Sequence, residues 1–315
     1  MAEIPFDAPL EGLRRRIAEL EGYPEGSGHE RELHRLRNEL EKSTKKVYGG
    51  LTRWEKTLVA RHSRRPHMLD YVERLMDDWV ELHGDRRFAD DPAIVAGLAT
   101  FRGRSVAVVG HQKGRSTKQR VYRNFGQPRP EGYRKALRVM QLAEKFGLPI
   151  LSFIDTPGAY PGVGAEERGQ AEAIARNLVE MAALEVPIII TVTGEGGSGG
   201  ALALGVGDWV AILEYGIYSV ISPEGCAAIL WKDQDRRQDA ADAMRITAPD
   251  LFELGVVDDV IPEPLGGAHT DADEVCRRVG DAIAAALDRL GDARPEELIA
   301  HRYERYRRLG VFLEG

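Results

Sequence analysis

Cysteine is nearly absent: Cys226 and Cys276 are the only two in 315 residues. They match no metal-ligand spacing and offer no disulfide framework, so they read as reduced cytosolic thiols, with a core role ahead of a reactive one. Long apolar runs are missing too. The most apolar stretches, such as Val186 to Val192, are far shorter than a bilayer requires. Met1-Ala2-Glu3-Ile4-Pro5 lacks the basic start and apolar core of a secretion signal, so the expected location is cytoplasmic. Bases are not in excess either. A net charge of −7 argues against nucleic acid as the main partner, while leaving room for a local basic patch. No internal repeat of solenoid length is present.

What is present fits a soluble globular protein: 43% apolar and 30% charged residues, enough for one large α/β domain or two smaller ones. Residues 9 to about 65 carry helix spacing, with Leu33, Leu36, Leu40 and Val47 followed by Leu51 and Trp54. From Glu30 to Arg65, eleven Lys/Arg face five Asp/Glu. The preferred reading is a solvated helix pair capping the main domain, and the alternative is a docking arm for an acidic partner. A further helix is predicted from Leu69 to about His83. Ile94 to Phe101 and Ser105 to Gly110 then read as a hairpin turned at Arg102-Gly103-Arg104. Beyond it, helices are predicted over 132–146, 166–184 and 199–206, alternating with strands over 149–154, 187–192, 209–213 and 218–221. Ser222-Pro223-Glu224 is a helix start. A strand over 256–261 and helices over 271–290 and 295–309 complete the chain. This rhythm predicts parallel βαβ units whose loops emerge on one edge of the sheet. The expected segments are 1–68, helical; 69–292, the main domain; and 293–315, a C-terminal helix.

Two glycine-rich segments stand at that edge, Asp155 to Gly164 and Gly194 to Gly200. Glycine lets a backbone approach a ligand closely, and helix-start amides favour negative charge, so the pair suits the holding of developing oxyanions. Gly194 to Gly199 also satisfies the dinucleotide pattern G-x-G-x-x-G, with Glu214 twenty residues on. That pattern normally opens the first βαβ unit, and here at least two strands precede it. Tight packing is the competing reading for Gly196 and Gly197, and less so for Gly199-Gly200. Gly196 to Gly200 also spells G-x-S-x-G, but only His269 and His301 follow as triad candidates. Glu166 and Glu167 read as acid/base groups or, preferably, as acids at a helix N-terminus. His111 to Arg120 is basic and reads as flexible. No acid occurs between Pro92 and Pro130 while eight Lys/Arg do, which suits the phosphates of coenzyme A or nucleic acid, or simply a solvated loop. His111 itself reads as a structural hydrogen-bonding group.

Gly110-His111-Gln112-Lys113-Gly114-Arg115, Asn124-Phe125-Gly126, Pro130 to Ala136, Phe153 to Gly162, Gly194 to Leu202, Ser219 to Cys226 and Ile261 to His269 follow in order. Over roughly residues 30 to 290, the chain resembles the carboxyltransferase α-subunit family of bacterial multi-subunit acetyl-CoA carboxylases. The resemblance implies an α/β crotonase-like spiral of ββα units with a helical N-terminal extension. It implies transfer of a carboxyl group from carboxybiotin, on a biotin carboxyl carrier protein, to acetyl-CoA, giving malonyl-CoA for fatty-acid synthesis. ATP is used by the separate biotin carboxylase. The implied partner is a β subunit with a four-cysteine zinc ribbon, in an α2β2 heterotetramer; no metal is expected in this chain. Gly199 and Gly200 are the implied catalytic residues, with biotin itself taking the methyl proton. Gly158, Ala159, Tyr160, Gly162, Gly196, Gly197 and Ala201 are the implied substrate-binding residues, and RNA binding through 102–129 is a further expectation. The rival is a self-contained crotonase-type enoyl-CoA hydratase or isomerase using Glu166 or Glu195.

Overall fold

The computed structural model describes residues 5–24, 28–291 and 293–310. Residue 292, where the expected main domain ends, lies outside them, as do residues 1–4 of the N-terminal reading and 311–315 of the C-terminal segment. Four helices open the chain, α1 (Ala8–Glu21), α2 (Glu30–Gly49), α3 (Arg53–Ala60) and α4 (Met68–Leu75). Strands β1 (Asp77–Glu81), β2 (Ile94–Phe101) and β3 (Arg104–His111) follow, then α5 (Thr117–Tyr122) and α6 (Pro130–Lys145). Next come β4 (Ile150–Thr156), α7 (Val163–Glu167), α8 (Gln170–Ala183), β5 (Ile188–Gly197) and α9 (Ser198–Leu202). The remainder is β6 (Trp209–Leu213), β7 (Ile217–Ser219), α10 (Pro223–Trp231), α11 (Arg237–Met244), α12 (Ala248–Glu253), β8 (Asp259–Ile261), α13 (Ala272–Leu290) and α14 (Pro295–Arg307).

The strands form one sheet in the order β1-β2-β3-β4-β5-β6-β8, with β7 pairing beside the end of β5. β1, β2 and β3 are antiparallel neighbours, and the pairs from β3 to β8 are parallel. Alternate side chains of the buried strands divide between two cores. Ile94, Val109, Ile150, Ile154 and Ile190 pack with Tyr133 and Met140 of α6 and Met181 of α8. Val95, Val108, Leu151, Phe153 and Ile189 pack on the opposite face with Tyr71 of α4 and Val279 and Ile283 of α13. The N-terminal pair α1–α2 closes on its own small cluster of Ile17, Leu20 and Leu36. Leu10, Tyr48, Val59 and Tyr215 then join that pair to the body.

Several boundaries differ from the sequence reading: the helix expected over 199–206 ends at Leu202, the strand expected over 256–261 begins at Asp259, and two further differences are larger. The helix expected over 69–83 stops at Leu75, and Asp77–Glu81 becomes an edge strand. Gly97 of β2 admits this strand at close range: a Cβ there would sit 2.3 Å from the Val80 carbonyl oxygen and 2.7 Å from the Trp79 ring. The helix expected over 166–184 is split in two by Gly169, whose φ of +84° halts the first piece. The predicted hairpin forms between β2 and β3, with Arg102 and Gly103 both at positive φ, the conformation that matches strand twist.

The C-terminal helix is fastened by one buried cation. Arg302 is 1% exposed, meets both oxygens of Asp208 at 2.9 Å, and donates to the carbonyls of Met181, Leu184 and Val186. Arg302→Ala leaves Asp208 buried and uncompensated. The expected loss is about 3–5 kcal/mol of unfolding free energy, measured by urea denaturation.

Candidate functional site

β4 and β5 are adjacent parallel strands, so their C-terminal ends deliver both glycine segments to the same place. The first turns sharply after Thr156, whose hydroxyl donates to the Gly158 carbonyl at 2.8 Å and accepts the Gly158 N–H at 3.0 Å. Gly158 takes φ +147°. Two residues on, the Tyr160 N–H donates to the Pro128 carbonyl at 3.0 Å. Gln170 bridges the Pro128 and Tyr160 carbonyls, and Arg129 lies over the Tyr160 ring. The loop is thus pinned on both sides of Ala159, a half-buried residue whose N–H donates to no protein group among the described residues. Gly162 caps α7 and leaves its Cβ position to the Tyr160 ring.

The second segment is not the open loop the sequence suggested. Gly194 to Gly197 is the end of β5, pairing with β7 and with Thr156. Extended backbone of this kind cannot wrap a pyrophosphate, so the dinucleotide reading fails. Glu214 instead accepts the Glu263 N–H at 3.0 Å. Gly196 admits the Tyr218 ring, and Gly197 admits the Pro157 carbonyl, at 2.6 and 2.3 Å from the missing Cβ atoms. Ser198 then takes φ +50°, a strained value for a side-chain-bearing residue, and swings the chain into α9. The amides of Gly199 and Gly200 lie in the first turn of α9, where an α-helix supplies no internal acceptor. Ala201, fully buried, anchors that turn in the core.

The two segments touch at Gly200. A Cβ there would stand 2.6 Å from the Gly158 carbonyl carbon and 2.7 Å from the Ala159 nitrogen. The unpaired amide of Ala159 and the first-turn amides of α9 are therefore neighbours, and the contact has no room for a side chain. His111, fully buried, packs beneath. Neither of its ring nitrogens completes a hydrogen bond, and burial pushes its pKa down to about 4, against the opposing pull of the Asp155 carboxylate. It is a neutral packing group, and the Ser198 hydroxyl has no histidine partner among the described residues.

Beside this junction, on the α3 side of the sheet, lies a cavity of about 710 Å³ lined by Trp54, Arg61, Lys113, Arg120, Phe125 and Pro157, among others. Its floor is a chain of charges: Lys113 bridges Asp155 and Glu195, and Arg61 bridges Glu195 and Glu224. Sequence reasoning weighed Glu195 only as an acid/base and did not connect Lys113 or Arg61 to it. Glu166 and Glu167 are exposed at the end of α7. The basic stretch carries a short helix, α5, from Thr117 to Tyr122. Ser116 and Gln119 form a capping box for α5, a signal legible as S-x-x-Q. Arg102, Arg104 and Arg115 are paired with Asp281, Asp288 and Asp70. Among the described residues, no group of three or more His, Cys, Asp or Glu is placed to hold a metal ion, and no helix is long and apolar enough to cross a membrane.

A family model described as acetyl co-enzyme A carboxylase carboxyltransferase-like matches residues 3–310. The chain is 56% identical over 311 residues to the acetyl-coenzyme A carboxylase carboxyl transferase subunit alpha of Sorangium cellulosum, covering 98% of each. It is 55% identical to the same-named protein of Syntrophotalea carbinolica, covering 99% of each. Among solved structures, it superposes on transcarboxylase 12S with a TM-score of 0.60 at 22% identity, over 75% of this chain and 43% of that one. It superposes on a Pseudomonas malonate decarboxylase MdcD-MdcE heterodimer with a TM-score of 0.56 at 19% identity, over 69% and 89% of the two chains. The fold is thus the mixed α/β, crotonase-like fold of carboxyltransferase domains.

Two desolvated histidines, one fully buried and one half-buried, set a pH dependence. His111 and His62 are both held at about 4 chiefly by burial, against about 6.5 when unfolded. Between those values the unfolded chain binds more protons, so stability is full above about pH 6.5 and falls as pH drops toward 4. Urea unfolding between pH 7.5 and 4.5 is expected to show this decline starting above the carboxylate range. His111→Gln is expected to reduce its slope by up to about 1.4 kcal/mol per pH unit.

Proposed function

The chain belongs to the acetyl-CoA carboxylase carboxyltransferase family, as its α subunit, and from that premise we propose how its glycine junction serves the reaction. Carboxybiotin, brought by a biotin carboxyl carrier protein, releases its carboxyl group and leaves negative charge on the ureido oxygen. The amides of Gly199 and Gly200, with that of Ala159, receive this charge. Biotin takes a methyl proton from acetyl-CoA, and the resulting enolate captures the released carboxyl carbon to give malonyl-CoA. No side-chain base of this chain is required. The observation that carries the reading is the contact of Gly200 with the Gly158–Ala159 peptide, which sets unpaired amides side by side. Such donors act without reorganising, which is where their catalytic value lies.

Gly158, Tyr160 and Gly162 shape the wall of the biotin pocket, while Gly196, Gly197 and Ala201 hold the strand and helix that present the amides. A zinc-ribbon β subunit completes the site in an α2β2 assembly and holds the enolate. Support for a docked partner comes from α10 and the turn before it, which expose Val220, Ile229 and Leu230 at 76%, 71% and 65%. ATP is spent by a separate biotin carboxylase, and the complex works in the cytoplasm. Residues 1–68 cap the carboxyltransferase body, with 293–315 as a closing helix. Arg102, Arg104, Lys113 and Arg115 are paired with acids, so Lys118, Arg120, Arg123 and Arg129 are the bases of 102–129 left to meet coenzyme A phosphates, with less charge remaining for RNA.

The hydratase or isomerase alternative finds less support. Glu195 has both oxygens engaged by cations, and Glu166 is exposed. Enoyl-CoA turnover by the chain alone would reinstate it. Gly200→Val inserts a side chain where the Gly158–Ala159 peptide lies. Carboxyl transfer by the α–β complex is expected to fall at least about 100-fold, with co-purification of the β subunit retained. Unchanged turnover would overturn the assignment.

A further inference from the structure

The β4–β5 ladder is regular from Ile150 opposite Ile188 to Ile154 opposite Val192, and resumes at Thr156 opposite Gly196. Asp155 alone therefore faces three residues of β5: Thr193, Gly194 and Glu195. Regular backbone pairing lapses immediately before both amide-bearing segments, and side chains take over its work. Asp155 Oδ1 accepts the Glu195 N–H at 3.0 Å and lies 2.7 Å from Lys113 Nζ. The same ammonium donates to Glu195 Oε2 at 2.9 Å. Arg61 holds the other Glu195 oxygen at 2.6 Å and ties it to Glu224 of α10 at 2.6 Å. Gly194 makes room for the Asp155 carboxylate, since a Cβ would lie 2.4 Å from Oδ1. Gly126, at φ +77°, makes room for the Lys113 stem, with 2.6 Å from its missing Cβ to Lys113 Cγ.

We infer that Lys113 is a positioning residue for carboxyl transfer, clamping Asp155 to Glu195 across the interrupted ladder and so setting the spacing of the Ala159 and Gly200 amides. Asp155 precedes Ala159 by four residues and Glu195 precedes Gly200 by five, with rigid turns between. A displacement at the clamp therefore passes directly to the amides. Burial opposes the Lys113 charge, but Asp155 and Glu195 outweigh it and its pKa is raised; Asp155 is held down by the same ammonium despite its own burial. Lys113 and Asp155 therefore stay ionised throughout the neutral range. Misplacing catalytic groups by about 1 Å costs on the order of 100-fold in rate, so the clamp governs turnover more than affinity.

This inference rests on the oxyanion role of those amides. The test is steady-state carboxyl transfer by the complete α–β complex with its carrier protein, comparing Lys113→Met, Lys113→Arg and Glu195→Gln. Lys113→Met is expected to lower kcat on the order of 100-fold, with KM for acetyl-CoA and assembly unchanged. Lys113→Arg, which keeps the charge between the two carboxylates, is expected to recover most of that loss. Wild-type kcat in Lys113→Met, a rise in KM alone, or no recovery with arginine would overturn the inference. If Lys113→Met does not assemble, Glu195→Gln decides. A lower kcat at unchanged KM supports the clamp, and wild-type kcat overturns it. If Gly200→Val is inactive while these variants keep wild-type kcat, only the clamp is wrong; if Gly200→Val is active, the oxyanion reading itself falls.

Discussion

The closeness of one α-carbon to one peptide bond governs this structure. Gly200 meets the Gly158–Ala159 peptide at a distance that excludes even a methyl group. Adjacent parallel strands bring the two segments to one edge, and the strained Ser198 turns the second inward. Thr156 and Pro128 then occupy the neighbouring amides and leave that of Ala159 unpaired. In the proposed reaction these amides receive the developing oxyanion, and preorganised backbone donors of that kind stabilise charge without a side-chain nucleophile or base. The amides proposed for that role belong to Ala159, Gly199 and Gly200, residues with almost no side chain.

Ionisable side chains serve that backbone geometry from behind. Asp155, Lys113, Glu195, Arg61 and Glu224 form a continuous chain of charges linking β4, the basic loop, β5, α3 and α10. Buried charges stabilise little in net terms once desolvation is counted, but a broken pair is costly, so such chains hold geometry better than they add stability. Arg302 with Asp208 at the C-terminal helix, and Arg65 with Glu263 beside β5, repeat the device elsewhere. The N-terminal helices therefore do more than cover the domain, since Arg61 at the end of α3 reaches the floor of the cavity.

Much of the architecture was legible in sequence because its signals are local. The β2–β3 hairpin, the strands beginning near 150 and 188, and the Ser222-capped helix all follow from period, turn and capping chemistry. The Asp77–Glu81 strand was not legible, because it pairs with β2 residues sixteen or more positions away and packs on Gly97, contacts that leave no local signal. Glycine spacing located the site but not its inner geometry. A run such as Gly194 to Gly200 reads equally well as a loop and as a strand end packed under Tyr218. The link from Lys113 to Glu195 spans more than eighty residues and leaves no periodic trace.

A crystal structure of the α–β complex with biotin bound shows most directly where these peptide nitrogens point during carboxyl transfer. The account requires the ureido oxygen to lie about 2.7–3.1 Å from the amide nitrogens of Ala159 and Gly200. A ureido oxygen held by other donors, with those two amides turned into protein packing, would contradict it.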